Sequence, residues 1–581
     1  MTKKLLGVIV VMFIAVGLFS SSAVAGGKLW EKKLKGDIKW KQFHVSGVVL
    51  AITDKGYLYG IDPKTGNELY MVEDLVNMIG VTEIPGIPLV VPGTPFVMVV
   101  TKAGMIKPEV VRLLDASTGK QVWEMGSTIP ENLIERLFDG KKPEEKDPPS
   151  ITVSMPYKPV ADMAHNQLLI PFLNVNTWTG KAMYTKVKGK GFAVVGLDLK
   201  TGKVNFISYI DESMKNDTVT DADLVVSGDV GVLDWWGMHS FSVIDGKPLA
   251  AVNFKRARKA NFLSRFRFLN TNAPPLVEGT TAYIIAQDHL EAYDIKTGQK
   301  KWASEDLDSA LPESQVAGDK VVVRMGGSFC TPGPKRDCKQ FSPYGIAVLD
   351  KGTGKILATT PKVDSKHGAA MTSPLLVRDN VVYHGVSNGA RAFDLGTLQY
   401  KWMKSINMDR DTPKSVDIVN DNLVLMNMQT TAAFKLSDGT PLWSQSVEPV
   451  QMDLAMMMVQ ALASVAATYS GLEAGRNGGV EFKKQALERW GAFDISFNNL
   501  LKNISMADEK GRYNYSMTGV AKDPNIIGVN TKTGKMDLGT QVEGRIPDYL
   551  VDPVAGILIN APKSDANYLY GFDLNPPLPK L

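Results

Sequence analysis

Along most of the chain, short apolar runs alternate with polar turns at the period of a β-strand. Residues 281–286 are apolar or β-branched, residues 290–295 alternate again, and Gln287-Asp288-His289 lies between them. That pattern predicts a hairpin whose tight loop is built from polar turn formers. The phrase that closes the second strand then recurs. It reads Asp62-Pro-Lys-Thr65-Gly66, Asp115-Ala-Ser-Thr118-Gly119, Asp198-Leu-Lys-Thr201-Gly202, Asp294-Ile-Lys-Thr297-Gly298, Asp350-Lys-Gly-Thr353-Gly354 and Asn530-Thr-Lys-Thr533-Gly534. Degenerate copies occur at Asp245-Gly246, at Asp394-Leu-Gly396-Thr397 before Trp402, and at Asp438-Gly439 before Trp443. The Asp accepts hydrogen bonds from the turn that follows, and Gly supplies the positive φ that Thr adopts only at a cost. A Trp four residues after the Gly, as at Trp123 and Trp302, falls in the next strand, where its ring covers a neighbouring unit.

Each unit is two to four antiparallel strands, too small to bury its own faces, so neighbours must stack. The expected fold is an all-β repeat protein. The turn-Trp phrase resembles the tryptophan-docking repeat of propellers related to the pyrroloquinoline quinone (PQQ) dehydrogenases. The resemblance runs from Lys28 nearly to the end of the chain, outside two insertions. It implies a β-propeller of four-stranded antiparallel blades, eight by that resemblance, although up to ten repeat units can be counted. The same repeats build quinoprotein enzymes and the propeller subunit of the outer-membrane protein assembly machine, so fold and function are argued separately.

The two ends fit one another. The chain finishes on Tyr568-Leu-Tyr-Gly571-Phe-Asp573 with no Trp strand after it, and Gly27-Lys28-Leu29-Trp30-Glu31 reads as the missing strand. Joining them removes two exposed sheet edges. The expected organisation is a signal peptide over 1–25 and a propeller over 26–581. A loop insertion at 127–162 and a helical insertion at 450–507 interrupt it.

Lys3 and Lys4 precede an apolar run from Leu5 to Phe19, followed by Ala23-Val24-Ala25. This is a charged start, an apolar core and a small-residue cleavage site, with cleavage after Ala25 and a periplasmic or secreted product. The run is shorter than the eighteen or so residues of a spanning helix, so an uncleaved anchor is the lesser alternative. No Cys lies at the cleavage site, a departure from the lipoprotein pattern of the assembly-machine propeller.

Composition sharpens the picture only a little. At 44% hydrophobic and 22% charged the chain has the makings of a large core, and a net charge of +4 over 581 residues gives no reason to expect nucleic acid. The two cysteines, Cys330 and Cys338, flank Thr-Pro-Gly-Pro-Lys-Arg-Asp, which folds back readily. In an oxidising compartment they are a candidate disulfide within one blade.

The first insertion contains Lys141-Lys-Pro-Glu-Glu-Lys-Asp-Pro-Pro149, a density of charge and Pro that predicts a solvent-exposed loop. The second carries an Ala/Met/Leu-rich run over 452–472 and two further helical stretches. Met456, Met457, Met458 and Leu462 are its candidate partner-binding residues, since Met-rich faces adapt to what they meet. The alternative is that this face packs on the protein itself.

Quinoprotein dehydrogenases, as a family, hold the quinone between a Trp and a disulfide of adjacent cysteines, with Ca²⁺ and an Asp base. This chain has no adjacent cysteine pair. Trp235-Trp236 is an aromatic pair able to stack on a planar ligand, or to pack within the repeat. No catalytic residue is carried over, and the cofactor is left open, PQQ and Ca²⁺ entering only under the enzyme alternative. The six histidines show no zinc spacing, the acidic residues from Asp211 to Asp223 do not follow an EF-hand, and Lys255–Lys259 reads as a solvated basic face. The expected function is an exported non-catalytic scaffold for a protein partner or large ligand in the cell envelope. A quinone-dependent dehydrogenase of alcohols or sugars is the alternative.

Overall fold

A computed structural model describes residues 27–574, apart from gaps of which the longest are 76–89, 138–148, 212–222, 254–274, 361–372 and 448–512. Almost every described element is a strand, and the strands form ten antiparallel sheets. We number these as blades in chain order. Blade 1 spans 38–72, blade 2 96–124, blade 3 150–211, blade 4 223–253 and blade 5 276–303. Blade 6 spans 313–359, blade 7 376–405, blade 8 415–446 and blade 9 513–541. Blade 10 combines 549–573 with the N-terminal strand Lys28–Lys33. Blades 2 and 9 have three described strands, blade 3 has five, and the other seven have four.

Consecutive blades share apolar clusters. Met98 and Leu113 of blade 2 pack with Leu168 and Ile170 of blade 3, and Ile284 of blade 5 packs with Val232 of blade 4. Leu425 of blade 8 lies in one cluster with Tyr383 of blade 7. The last seam closes the ring, because Trp30, Leu569 and Ile559 of blade 10 pack on Val49 and Ile61 of blade 1. Within blade 10, Glu31 pairs with Tyr570 and Lys33 with Tyr568, so the first and last strands share one ladder and neither leaves an open edge there.

The repeated turn explains why units of this size stack. In blade 3, Asp198 Oδ1 accepts from the amides of Lys200 (3.1 Å) and Thr201 (2.8 Å) and from the Thr201 hydroxyl (2.8 Å). Gly202 then takes φ +68°, and a Cβ there would lie 2.7 Å from the Trp123 ring of blade 2. Trp123 also donates its indole N–H to Leu199 O at 2.8 Å, inside the same turn. Each ring therefore lies flat on a turn that has no side chain to obstruct it, and its one polar atom finds a carbonyl. Trp30 on the blade 1 turn, Trp302 on blade 6 and Trp402 on blade 8 repeat the arrangement. At the seam between blades 1 and 2 a Tyr does the same work, Tyr70 donating to Ala116 O at 2.8 Å.

Ten sheets, rather than the eight implied by the resemblance, follow from the degenerate copies, which keep the turn while changing its residues. In blade 4 Ser242 replaces the Asp, and its hydroxyl accepts from Ile244 N (3.3 Å) while Gly246 holds φ +70°. In blade 7 Leu398 occupies the glycine position with φ +56°. Residues 127–162 also differ from the expected exposed loop. Glu131–Leu137 is a helix and Ser150–Pro156 a strand paired with blade 3, while Ile129, Leu133, Ile151 and Val153 are buried. Apolar residues at both ends of the segment fold onto the blade 2–blade 3 core, whatever its charged centre does. That centre, at 138–148, lies outside the described residues.

A candidate docking face and its lysine-lined pocket

Strand direction alternates across a blade, so its connections sort onto two faces. The first strand of each blade is innermost. The strand Asp223–Ser227 of blade 4 touches Leu276–Glu278 of blade 5, and that strand in turn touches Glu313–Ala317 of blade 6. Connections between strands one and two, and between three and four, share one face, which carries the short Asp-Thr-Gly turns. Connections between strands two and three, and between successive blades, share the other.

Among the described residues, the strand ends that flank the long connections lie on that second face. The strands before and after 73–95, 212–222, 254–275, 360–375 and 447–512 end and start there, and the tall hairpins of blades 3 and 6 rise from it. In those hairpins Gln167–Thr179 pairs with Lys186–Asp198, and Lys320–Cys330 pairs with Cys338–Asp350. Among the described residues the opposite face carries short turns, except at blade 10, where the N-terminal strand starts and the C-terminal strand ends. Loops of variable length on a rigid frame are where binding residues concentrate.

A cavity of about 490 Å³ opens on this long-loop face at the closing seam. Lys33, Leu34, Lys35 and Gly36 contribute from the link between blades 10 and 1, Lys55 and Tyr57 from a blade 1 hairpin, and Asn567 from a blade 10 hairpin. Leu34 N donates to Asn567 O (2.8 Å) and Lys35 N to the Tyr59 hydroxyl (3.1 Å), so the link is tied to both terminal blades. Lys33 Nζ lies 5.5 Å from the centre of the Tyr568 ring, and Lys35 Nζ lies 5.4 Å from that of Tyr57. Such cation–ring contacts hold the ammonium groups near the pocket while leaving their charge uncompensated. Beside the lining residue Gly36, Asp54 accepts from Asp37 N (2.9 Å), and Asp37 in turn faces Lys39 at 3.7 Å.

The sequence-derived candidates fall in different places. Met456, Met457, Met458 and Leu462 lie outside the described residues, as do residues 1–25, Trp236, His367 and the basic run at 255–259. The described strands that flank the 450–507 segment are Pro441–Ser446 of blade 8 and Tyr513–Val520 of blade 9. The backbone sets Cys330 directly opposite Cys338 at the tip of the tall blade 6 hairpin. Facing positions in an antiparallel pair are about 4.5–5.5 Å apart at Cα, within disulfide reach. Trp235 is buried and already stacked on Phe192, ring centres 4.4 Å apart, so it packs the blade 3–blade 4 seam.

No group of three His, Cys, Asp or Glu side chains among the described residues is arranged to hold a metal ion. His44 and His384 are buried, and burial pushes them down to about 4 and about 3, so both are neutral packing residues at pH 7. Sequence reasoning missed a polar knot at the blade 4–blade 5 seam. Glu291, 6% exposed, accepts from the Tyr293 hydroxyl and from Lys300, with His289 Nε2 at 3.3 Å. Burial opposes its charge, yet these donors hold the carboxyl below its ordinary range. The docking position of this seam is Ala250 rather than an aromatic, and its Cβ approaches Gly298 directly.

The model of the family described as outer membrane protein assembly factor BamB matches residues 15–141 and 187–445. No curated protein sequence matches. Among solved structures, BamB from Moraxella catarrhalis is similar at 12% identity, with TM-score 0.35, over 72% of this chain and 100% of that one. The computationally designed Ika8 protein is similar at 14% identity and TM-score 0.33, over 73% of this chain and 100% of its own. Dihydro-heme d1 dehydrogenase NirN is similar at 12% identity and TM-score 0.31, over 64% of this chain and 67% of its own.

Proposed function

We propose, from the premise that this chain belongs to the family of the outer membrane protein assembly factor BamB, that it is an exported propeller scaffold. It holds a protein partner in the cell envelope and performs no chemistry of its own. One observation supports this reading: the ends of the long connections share one face of the ring, whereas the described strand-to-strand links of the other face are short turns. Blade strands account for themselves by core burial. Long connections add chain whose ordering carries an entropic cost. A partner seated on that face gives them a role, and the Met-rich segment at 450–507 is the adaptable part of the seat.

The test is capture from native envelopes with the mature protein, comparing the parent with Met456→Ser/Met457→Ser/Met458→Ser. The expected result is a specific partner, lost from the triple variant while the propeller melts unchanged. A large drop in melting temperature would instead assign those side chains to the protein's own core. Turnover of alcohols or sugars with added PQQ, Ca²⁺ and a dye acceptor would replace the scaffold by the dehydrogenase reading.

A further inference from the structure

We propose that the lysine-lined pocket at the closing seam receives a carboxylate-rich peptide segment of the partner, and that filling it locks the ring shut. The proposal rests on the scaffold reading and adds the chemistry of one contact. Lys33, Lys35 and Lys55 converge on one cavity, and among the described residues none has a carboxylate within ion-pair distance. All three side chains are exposed, so an anion seated among them gains a modest attraction that salt screens. The cavity is also kept open by its backbone. Gly36 holds φ +99°, and a Cβ there would come within 2.5 Å of Asp54 Oδ1 and 3.0 Å of Lys55 Cγ, crowding the wall that Lys55 forms.

The remaining wall suits a peptide rather than an isolated oxyanion. Tyr57 offers apolar surface, while Leu34 is buried in the core of the seam, and the Asn567 side-chain amide carries both a donor and an acceptor, the complement of a peptide unit. About 490 Å³ is room for a few residues. Asp54 Oδ1 lies against Gly36 and accepts from Asp37 N, so one carboxylate stands beside three lysines and the lining keeps a net positive charge.

The linkage to closure follows from which parts of the chain line the pocket. Lys33 belongs to the N-terminal strand, Lys55 and Tyr57 to blade 1, and Asn567 to the C-terminal part of blade 10. The site exists only while Lys28–Lys33 is paired with Tyr568–Asp573. A ligand that binds the closed ring and not the opened one raises the stability of the closed form by mass action.

The experiment uses the full mature chain and fluorescein-labelled tetraglutamate, with tetraglutamine as the neutral control and inorganic phosphate as competitor. The expected result is saturable binding of tetraglutamate alone, weakened by salt, with a rise in the melting temperature. Lys33→Gln/Lys35→Gln/Lys55→Gln should weaken binding about tenfold or more, and Lys33→Arg/Lys35→Arg/Lys55→Arg should restore it if folding is intact. Equal binding by the Gln variant, or no binding by the parent, overturns the pocket assignment. Full displacement by millimolar phosphate with no preference for the peptide overturns the choice of ligand. Capture of a partner by the long-loop face despite either failure would leave the scaffold reading standing, whereas loss of capture with the pocket intact would strike that reading alone.

Discussion

The seam between blades 6 and 7 offers a sharp test of the docking logic. At four seams an indole donates into the turn of the next blade, and where that turn carries Gly the two are complementary, since a Cβ at Gly354 would lie 2.3 Å from the Trp302 ring. At the blade 6–blade 7 seam both partners are exchanged. Ala358 pairs with Val348 as Trp302 pairs with Ala292, and Leu398 takes the glycine position, the two packing on one cluster with Val382 and Phe393. A small residue on one side is thus answered by a large one on the other. Leu398 adopts φ +56° to do so, a conformation that costs a non-glycine residue roughly 1–2 kcal/mol.

A double-mutant cycle separates this compensation from chance. Ala358→Trp alone drives a ring into space held by Leu398 and should cost about 1–3 kcal/mol. Leu398→Gly alone relieves the backbone but removes a partly buried side chain worth about 1–2 kcal/mol, so its net effect should be small. Together they restore the Trp-over-Gly pair of the other seams, and the double variant should be more stable than the sum of the singles by about 1–3 kcal/mol. Urea unfolding followed by far-ultraviolet dichroism reads all four proteins. Additivity to within about 0.5 kcal/mol would refute the idea that these positions are one docking site.

Three further outcomes are expected. His165 is held at Nδ1 by Asp162 of its own blade (2.8 Å) and at Nε2 by Asp229 of blade 4 (3.1 Å). Burial acts to lower its pKa, but the hydrogen bonds and charges of Asp162 and then Asp229 raise it overall, with Asn166, Gln167 and Asp198 as the nearby polar groups. A raised folded pKa means that this contribution is full below about pH 6.5 and fades as pH rises through the folded value, so the parent should lose more stability than His165→Gln over that window. Asp198→Ala removes the acceptor of three turn hydrogen bonds and should cost about 1–2 kcal/mol in thermal unfolding, while Asp198→Asn retains most of it. Intact-mass analysis of periplasmic protein should show an N-terminus at Gly26 and a mass two hydrogens below the dithiol, and alkylation at Cys330 and Cys338 without prior reduction would contradict the bridge.

What could be read from sequence was whatever local chemistry determines. Asp198-Leu-Lys-Thr201-Gly202 states its own turn, and the spacing from Gly119 to Trp123 states the ring that docks on it. Blade 7 was harder to count because Leu398 stands where Gly was expected, and blade 4 because Ser242 does the work of Asp. The helix and strand within 127–162 were hidden by the charged stretch at 141–149, which dominates the composition of that segment. Ile129, Leu133, Ile151 and Val153 become buried only against blades far away in sequence. The pocket is the extreme case. Lys33 and Asn567 are brought together by ring closure alone, so no local pattern announces them.

The claim that one face is built for docking is tested most directly by photo-crosslinking in native envelopes. A photoreactive residue placed at Lys55 or Asn567 probes the long-loop face, and one at Lys64, Lys200 or Lys296 probes the turns of the other. The account predicts discrete protein adducts from the first pair and none from the second set. Adducts of equal yield from both faces, or only from the turn face, would contradict it.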